Sequence, residues 1–197
     1  MAGYRSVAGV LAAVEDLLKH RFPPELSDDP VNGKVQLLSS NDFRTVAKGS
    51  SVLGLWLHRI EVDPNGRNTW TRPVPGKLDT PQRLIPLNLH LLLVSWGNSA
   101  ASEAALHAWG VAQLASVPEI DAGHLSSADE EWSDAERVQI APEEMPTEDL
   151  LRIWDALPAK YTLTSCWVVR TVRVTLDRVD GSGVVKTRVL PMEFSRR

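Results

Sequence analysis

The stretch Leu84–Trp96 constrains the fold of this chain more than any other part of the sequence. Every second residue from Ile85 to Leu93 is apolar. The opposite face carries Asn88 and His90 and then Leu92, Val94 and Trp96, so it changes from polar to apolar along the stretch. A period of two with such a change predicts a β-strand with one buried face, whose other face is wet at one end and covered at the other.

The remaining apolar periodicity predicts three helices and several more strands. The expected helices are Tyr4–Arg21, the alanine-rich Ser99–Val117, and one that begins at Thr147 as its N-cap and ends before Pro158. The expected strands are Val35–Leu38, Ser51–Val62, Arg137–Ile140, Tyr161–Leu176 and Val184–Leu190. Glu119–Ser133 is acidic and predicts a loop. A change of parity near Val169–Arg170 predicts a bulge in its strand.

This order of elements favours an α+β fold. One domain spanning residues 1–197 fits the length, with a mainly antiparallel or mixed sheet packed by about three helices. Only the step from Trp96 to Ser99 is a tight strand-to-helix connection, so a doubly wound parallel sheet is not expected.

Two segments are candidates for surfaces that contact other molecules. Residues 67–82 contain Trp70, three prolines and little regular pattern, which predicts an exposed loop or arm. Residues 161–190 predict a C-terminal hairpin that turns at Asp180–Gly183 and is rich in basic side chains.

Composition excludes some classes of protein. The net charge of −4 and the pI near 5.7 do not fit a general nucleic-acid binder, which needs a basic field. Cys166 has no second cysteine to pair with, and it is expected to be a buried, inert thiol. Charged residues interrupt Met1–Arg21, so no signal peptide is expected. No window approaches 18 apolar residues, so membrane insertion is not expected either.

Motifs of known catalytic chemistry are not found in the sequence. The strongest alternative is a small metal-assisted enzyme in which His58 and His90 lie side by side and bind a metal together with a carboxylate such as Glu61. In that interpretation Trp56, His58 and Ile60 share the face opposite Leu53, Leu55 and Leu57. The same histidines also suit a solvated sheet face or a subunit contact. A further alternative is a monomeric adaptor that binds a partner at a sheet edge.

The seven tryptophans fall into two groups. Five lie on apolar faces and are expected in the core: Trp56, Trp96, Trp109, Trp154 and Trp167. Trp70 and Trp132 lie in polar segments, where an indole is expected to be covered by another part of the chain or by a partner.

Four segments in this order resemble a known family: Leu55–Asn68, Leu87–Trp96 leading into the alanine-rich helix, Met145–Leu157, and Tyr161–Val169. The resemblance is to the tail-terminator or cap proteins of bacterial extracellular contractile injection systems, which are phage-tail-like particles. It implies a structural protein with no catalytic, cofactor or metal site. It also implies a ring, expected to be a hexamer, on the distal end of the inner tube, which ends tube growth and contacts the last sheath layer.

The resemblance further implies the partners and the location of the protein. The partners would be other copies of the chain, the inner tube protein and the sheath protein, with assembly in the bacterial cytoplasm into a particle that is released or stays inside the cell. We expect the contacts to come from the arm and the basic hairpin. The candidate interface residues are Arg67, Asn68, Trp70, Arg72, Arg170, Arg173, Arg178, Lys186 and Arg188.

Overall fold

A computed structural model describes residues 5–26, 34–45, 51–65, 71–74, 77–125, 132 and 136–175, with residues 71–74 and 77–83 described by their backbone. Its helices are α1 (Ser6–Arg21), α2 (Ala100–Ser116), α3 (Ala122–Leu125) and α4 (Thr147–Asp155), and short 3-10 turns lie at Pro24–Leu26 and Asp42–Arg44. Its strands are β1 (Lys34–Leu38), β2 (Val52–Val62), β3 (Thr71–Val74), β4 (Lys77–Trp96), β5 (Glu119–Asp121), β6 (Arg137–Pro142) and β7 (Thr164–Thr175).

The strands form one mixed sheet in the order β1-β2-β4-β7-β6-β5, and β3 pairs with the beginning of β4. The pair β1–β2 is parallel, whereas every other pair is antiparallel. The predicted α+β fold with a mainly antiparallel, mixed sheet is therefore confirmed. No helix in the described ranges is long and apolar enough to cross a membrane.

The leucine face of β4 is the centre of the main core. Leu89, Leu91 and Leu93 are fully or almost fully buried, as predicted. Helices α1 and α2 cover this face with side chains such as Val14 and Leu106. Burial of apolar surface in this layer, worth about 25 cal/mol per Å², is the main free-energy contribution that holds the helices to the sheet.

The opposite face of β4 is covered only toward its end. Phe43, from the second 3-10 turn, lies with its ring centroid 5.8 Å from those of Trp96 and Trp154. Trp154 comes from α4, so this smaller cluster joins α4 to the sheet. The strand is thus enclosed on both faces near Trp96, which is the arrangement that the change of polarity along Leu84–Trp96 predicts.

Helix α2 begins and packs closely for identifiable reasons. The Ser99 hydroxyl accepts from the Ser102 backbone N–H, and the Ser102 side chain accepts from the Ser99 N–H, which satisfies two donors at the helix start. Gly110 faces the sheet, where an added Cβ would lie 2.8 Å from Leu53 Cδ2 and 3.1 Å from Leu93 Cδ2. The absence of a side chain at Gly110 therefore sets how near α2 comes to the leucine face.

Three expectations about local structure are wrong. Thr147 is the first residue of α4, and Pro146 occupies the N-cap, because its extended φ/ψ already fits that position. The acidic segment from Glu119 contains β5 and α3, since Ile120 and Leu125 are buried in the main core. In the described part of residues 67–82, the backbone forms a hairpin of β3 with β4, so this part is not irregular. Whether that hairpin projects as an arm stays a prediction.

Two bulges change which residues share a face. In β7 the register shifts between Val169 and Val172, and Thr171 has φ of 68°, so the predicted bulge is confirmed. In β2 the register shifts at His58, which reverses the parity of the residues that follow. Ile60 therefore pairs with Leu89 on the leucine face, and its expected position beside His58 is wrong.

We expect Gly110→Val to lower the free energy of unfolding by about 1–3 kcal/mol, because the new side chain overpacks the layer against Leu53. Urea denaturation measures this loss. Ala112→Val, at an exposed position of the same helix, controls for the introduction of a β-branched side chain into the helix and should cost less than about 1 kcal/mol. An equal loss in both variants would contradict the close approach at Gly110.

Candidate interaction surfaces

The structure describes three of the candidate interface residues. Arg72 lies in β3, where its backbone pairs with Gln82. Arg170 is exposed at the β7 bulge. The Arg173 Nη1 atom lies 3.3 Å from Glu136 Oε1, so this arginine already has an internal partner. The other six lie outside the described residues: Arg67, Asn68, Trp70, Arg178, Lys186 and Arg188.

His58 and His90 lie side by side, as the paired strands predict. Their ring centroids are 6.1 Å apart. His90 is buried, with Nδ1 2.8 Å from Glu143 Oε1 and Nε2 3.3 Å from Glu61 Oε2. The imidazole of His90 therefore bridges a carboxylate on β2 and a carboxylate that follows β6.

Arg59 completes this cluster and changes its chemistry. Its Nη2 atom lies 3.3 Å from both ring nitrogens of His90, 3.4 Å from Glu61 Oε2 and 3.7 Å from Glu143 Oε1. The two carboxylates thus already face a fixed cation, which opposes the approach of a metal ion. Within the described part of the chain, no three His, Cys, Asp or Glu side chains are grouped to hold a metal. The arrangement is an ion-pair cluster.

Sequence reasoning missed two members of this cluster, Arg59 and Glu143. The bulge at His58 brings Arg59 onto the same face as His90, and periodicity alone does not reveal a bulge. Glu143 meets His90 because its backbone N–H donates to the Cys166 carbonyl at 2.9 Å, which fixes the chain beside β7. Charged and apolar residues alternate after His58, and this pattern was the sequence signal that could have identified Arg59 as a member of the cluster.

Two buried polar atoms beside this cluster, His58 Nε2 and Asn88 Oδ1, have no hydrogen-bond partner among the residues that the structure describes. Burial lowers the pKa of His58, and the neighbouring His90 lowers it further. Burial also lowers the pKa of His107, whose Nδ1 lies 3.1 Å from the buried Ser95 hydroxyl at the contact of α2 with the sheet. For both rings the fold therefore favours the neutral imidazole over the protonated one.

Cys166 lies on the wall of a shallow groove between the segment after β6 and α4. The groove has a volume of about 650 Å³ and is lined by Glu143, Glu144, Met145, Pro146, Leu150, Thr164 and Cys166. Burial and then the Glu143 carboxylate raise the pKa of the Cys166 thiol, and its Sγ lies 3.9 Å from Met145 Sδ. The thiol is half-buried and not activated, which agrees with an inert cysteine.

The tryptophans fit the sequence-based expectation where the structure describes them. Trp96, Trp154 and Trp167 are buried, and Trp56 and Trp109 pack against the two clusters. Trp132 packs on the main core, so the chain itself covers this indole. The prediction of a partner contact for Trp70 stays a prediction.

The strand β2 has an edge that β1 covers only in part. The parallel pairing with β1 ends at Leu38↔Trp56, whereas β2 continues to Val62 along β4. Beyond Trp56, no strand of the described ranges pairs with this edge. Ile60 is 50% and Val62 46% exposed, on the leucine face but past the helices. This stretch offers both backbone groups and apolar side chains to another molecule.

Comparison with known proteins decides the family. The model of the family described as the Pvc16 N-terminal domain matches residues 9–187. The chain belongs to this family. The resemblance drawn from the four sequence segments is therefore confirmed. A comparison with curated proteins gave no match.

Two solved structures share the fold of this Pvc16 N-terminal domain. One is a sheath/tube terminator of an extracellular contractile injection system, PVC, in its extended state, with a TM-score of 0.59 and 13% identity over 96% of this chain. The other is the tube-terminating cap of the anti-feeding prophage, with a TM-score of 0.58 and 11% identity over 93% of this chain. This chain spans 64% and 60% of their lengths.

We expect the stability of the protein to fall as the pH drops below about 6.5, the pKa of an unperturbed histidine. Because the pKa of His58 is lower in the folded chain, the unfolded chain takes up the proton first. Stability is therefore full above the unfolded pKa and decreases as the pH falls toward the folded one. Urea midpoints at pH 7.5, 6.5 and 5.5 measure the slope.

The variant His58→Gln should show a smaller loss between pH 7.5 and 5.5 than the parent chain. His20→Gln, at an exposed position on α1, is the control and should keep the parental slope. His107 adds a slope of the same sign, so His58→Gln reduces the loss but does not abolish it. If His58→Gln and His20→Gln behave alike, burial of His58 does not control the pH dependence.

Proposed function

We propose that this protein is a structural terminator of a contractile injection system. It forms a ring of six copies on the distal end of the inner tube, ends tube growth and contacts the last sheath layer. The observation that carries the proposal is the family match over residues 9–187, joined to the fold shared with two proteins described as terminating a tube.

The described side chains support a structural role over an enzymatic one. Among the described residues, the cluster around His90 has the residue types of a catalytic site, but it contains the Arg59 guanidinium in contact with both carboxylates. A metal-assisted reaction would need that cation displaced. The half-exposed end of β2 and the exposed Arg170 are instead features that suit contacts between proteins.

Closed rings need an interface in which two different surfaces of the same chain meet. The basic residues offer one such surface within an acidic protein, and Arg170 is the member of it that is described, exposed and not paired with Glu136 as Arg173 is. The end of β2 lies across the sheet, on the other side of β4 from β7. Two separate surfaces on opposite sides of the sheet are what a head-to-tail ring requires.

Removal of the protein from a particle-producing cell tests the proposal. We expect inner tubes without a fixed end, seen in electron micrographs as a broad distribution of tube lengths, because nothing terminates subunit addition. Expression of the intact chain in the same cells should restore a single length. Capped particles of normal length in cells that lack the protein would contradict the proposed function.

The contribution of the basic surface is tested separately with Arg170→Glu. We expect about tenfold fewer capped particles, because the charge reversal turns an attraction at an interface into a repulsion. Arg170 is exposed, so thermal unfolding of the purified variant should match the parent. Arg170→Lys keeps the charge and should restore most of the capped particles. Unchanged capping by Arg170→Glu would show that this residue is not part of the interface.

Trp70→Ala tests the contribution of the arm in the same way.

A further inference from the structure

The uncovered end of β2 is suited to the addition of one more strand. Asp63 N–H donates to the Pro86 carbonyl at 2.9 Å across the β2–β4 pair. Hydrogen-bonded residues alternate along an antiparallel pair, so Glu61 also faces β4 with its backbone groups. The N–H and C=O groups of Ile60 and Val62 therefore point away from β4, toward the side that β1 leaves uncovered.

The two faces of this end of β2 differ in chemistry. Ile60 and Val62 lie on the leucine face and are about half exposed. Arg59 and Glu61 lie on the other face together with Glu143, whose side chain is 19% exposed. One positive and two negative groups leave this face with a net negative charge when the histidines are neutral. An added strand should therefore alternate apolar residues with basic ones.

One segment of the chain has this pattern. In Val184–Leu190, Val185, Thr187 and Val189 share one parity, and Lys186 and Arg188 lie at the other. With Thr187 and Val189 against Ile60 and Val62, Lys186 and Arg188 fall on the same face as Glu61 and Glu143, a parity that Val184 and Leu190 share. The segment lies outside the described residues, and its seven positions exceed the four from Arg59 to Val62.

The path of the chain favours pairing with another copy. The segment follows β7 after the eight residues 176–183, which include the turn signature Asp180–Gly183. A turn there is expected to return the chain beside β7, on the side of the sheet away from β2. The edge of β2 is then reached by the segment of a neighbouring copy, and the same contact repeats around a ring.

We propose that Val184–Leu190 of one copy adds as a strand to Arg59–Val62 of the next. The inference rests on the ring in the proposed function and names the interface that closes it. The apolar side chains of the added strand cover Ile60 and Val62, its basic side chains meet the carboxylates around His90, and its backbone pairs with the outward groups of β2. The sheet becomes continuous from one subunit to the next.

Val62→Pro tests the backbone contact. Proline removes the outward N–H at this position but leaves the β2–β4 hydrogen bonds of Glu61 and Asp63 intact. We expect about tenfold less of the variant in purified particles, with thermal unfolding of the isolated chain little changed. Val62→Thr keeps the donor and the strand propensity, so it should incorporate like the parent chain. Equal incorporation of both variants would overturn the proposal.

Cross-linking tests the identity of the added strand. In a Cys166→Ser background, cells express one chain with Ile60→Cys and a second with Val185→Cys, Thr187→Cys or Val189→Cys. Each chain has a single thiol, so a short bis-maleimide joins only different copies. We expect linked pairs in assembled particles for at least one of the three partners. Lys186→Cys places the thiol on the other face and should give far less product.

The outcomes separate the two proposals. Capped particles that contain the protein but give no Ile60 cross-link overturn the added strand and leave the terminator function standing. A link that forms only when Ile60→Cys and Val189→Cys are in the same chain shows that the segment pairs within its own copy, which also overturns the proposal. Particles that never incorporate the parent chain contradict the proposed function itself.

Discussion

The structure depends on the enclosure of one strand, β4, from both sides. Leu89, Leu91 and Leu93 bind α1 and α2 to the sheet, whereas the alternate residues toward Trp96 bind α4 and the turn that holds Phe43. Removal of either layer would leave a row of large apolar side chains in water, at a cost that exceeds any single hydrogen bond in the molecule. Packing on β4 therefore determines where the helices lie. The absence of a side chain at Gly110 determines how near α2 comes to the sheet.

Near His90, farther from Trp96, the same strand lies in a different environment. Past the helices, the enclosure gives way to a charged cluster around His90 on one face and to exposed Ile60 and Val62 on the other. Both bulges lie at this boundary, in β2 at His58 and in β7 at Thr171. The half of the sheet near Trp96 holds the domain together, and the half near His90 is where we propose that other copies bind.

Much of the fold could be predicted from the sequence because its periodicities are long and regular. The parity of Leu84–Trp96 identified the core face, and the break near Val169 identified a bulge. The bulge at His58 could not be found in this way, because a single inserted residue leaves apolar residues at both parities. Glu143 joined the site through a contact 53 residues from His90 in sequence, which local patterns do not encode. The hairpin of β3 with β4 escaped detection because Pro73 and Pro81 are more typical of loops than of strands.

The antiparallel pairing of β4 with β7 also affects how the chain is made. Between Trp96 and Thr164 lie 67 residues, so at about 5–20 residues per second the ribosome leaves the leucine-rich strand without this neighbour for roughly 3–13 s. During that interval the nascent chain has β2 on one side and an open apolar edge on the other. Such an edge is prone to aggregation and is a natural substrate for chaperones. The yield of folded protein is therefore expected to depend on protection of this strand before β7 emerges.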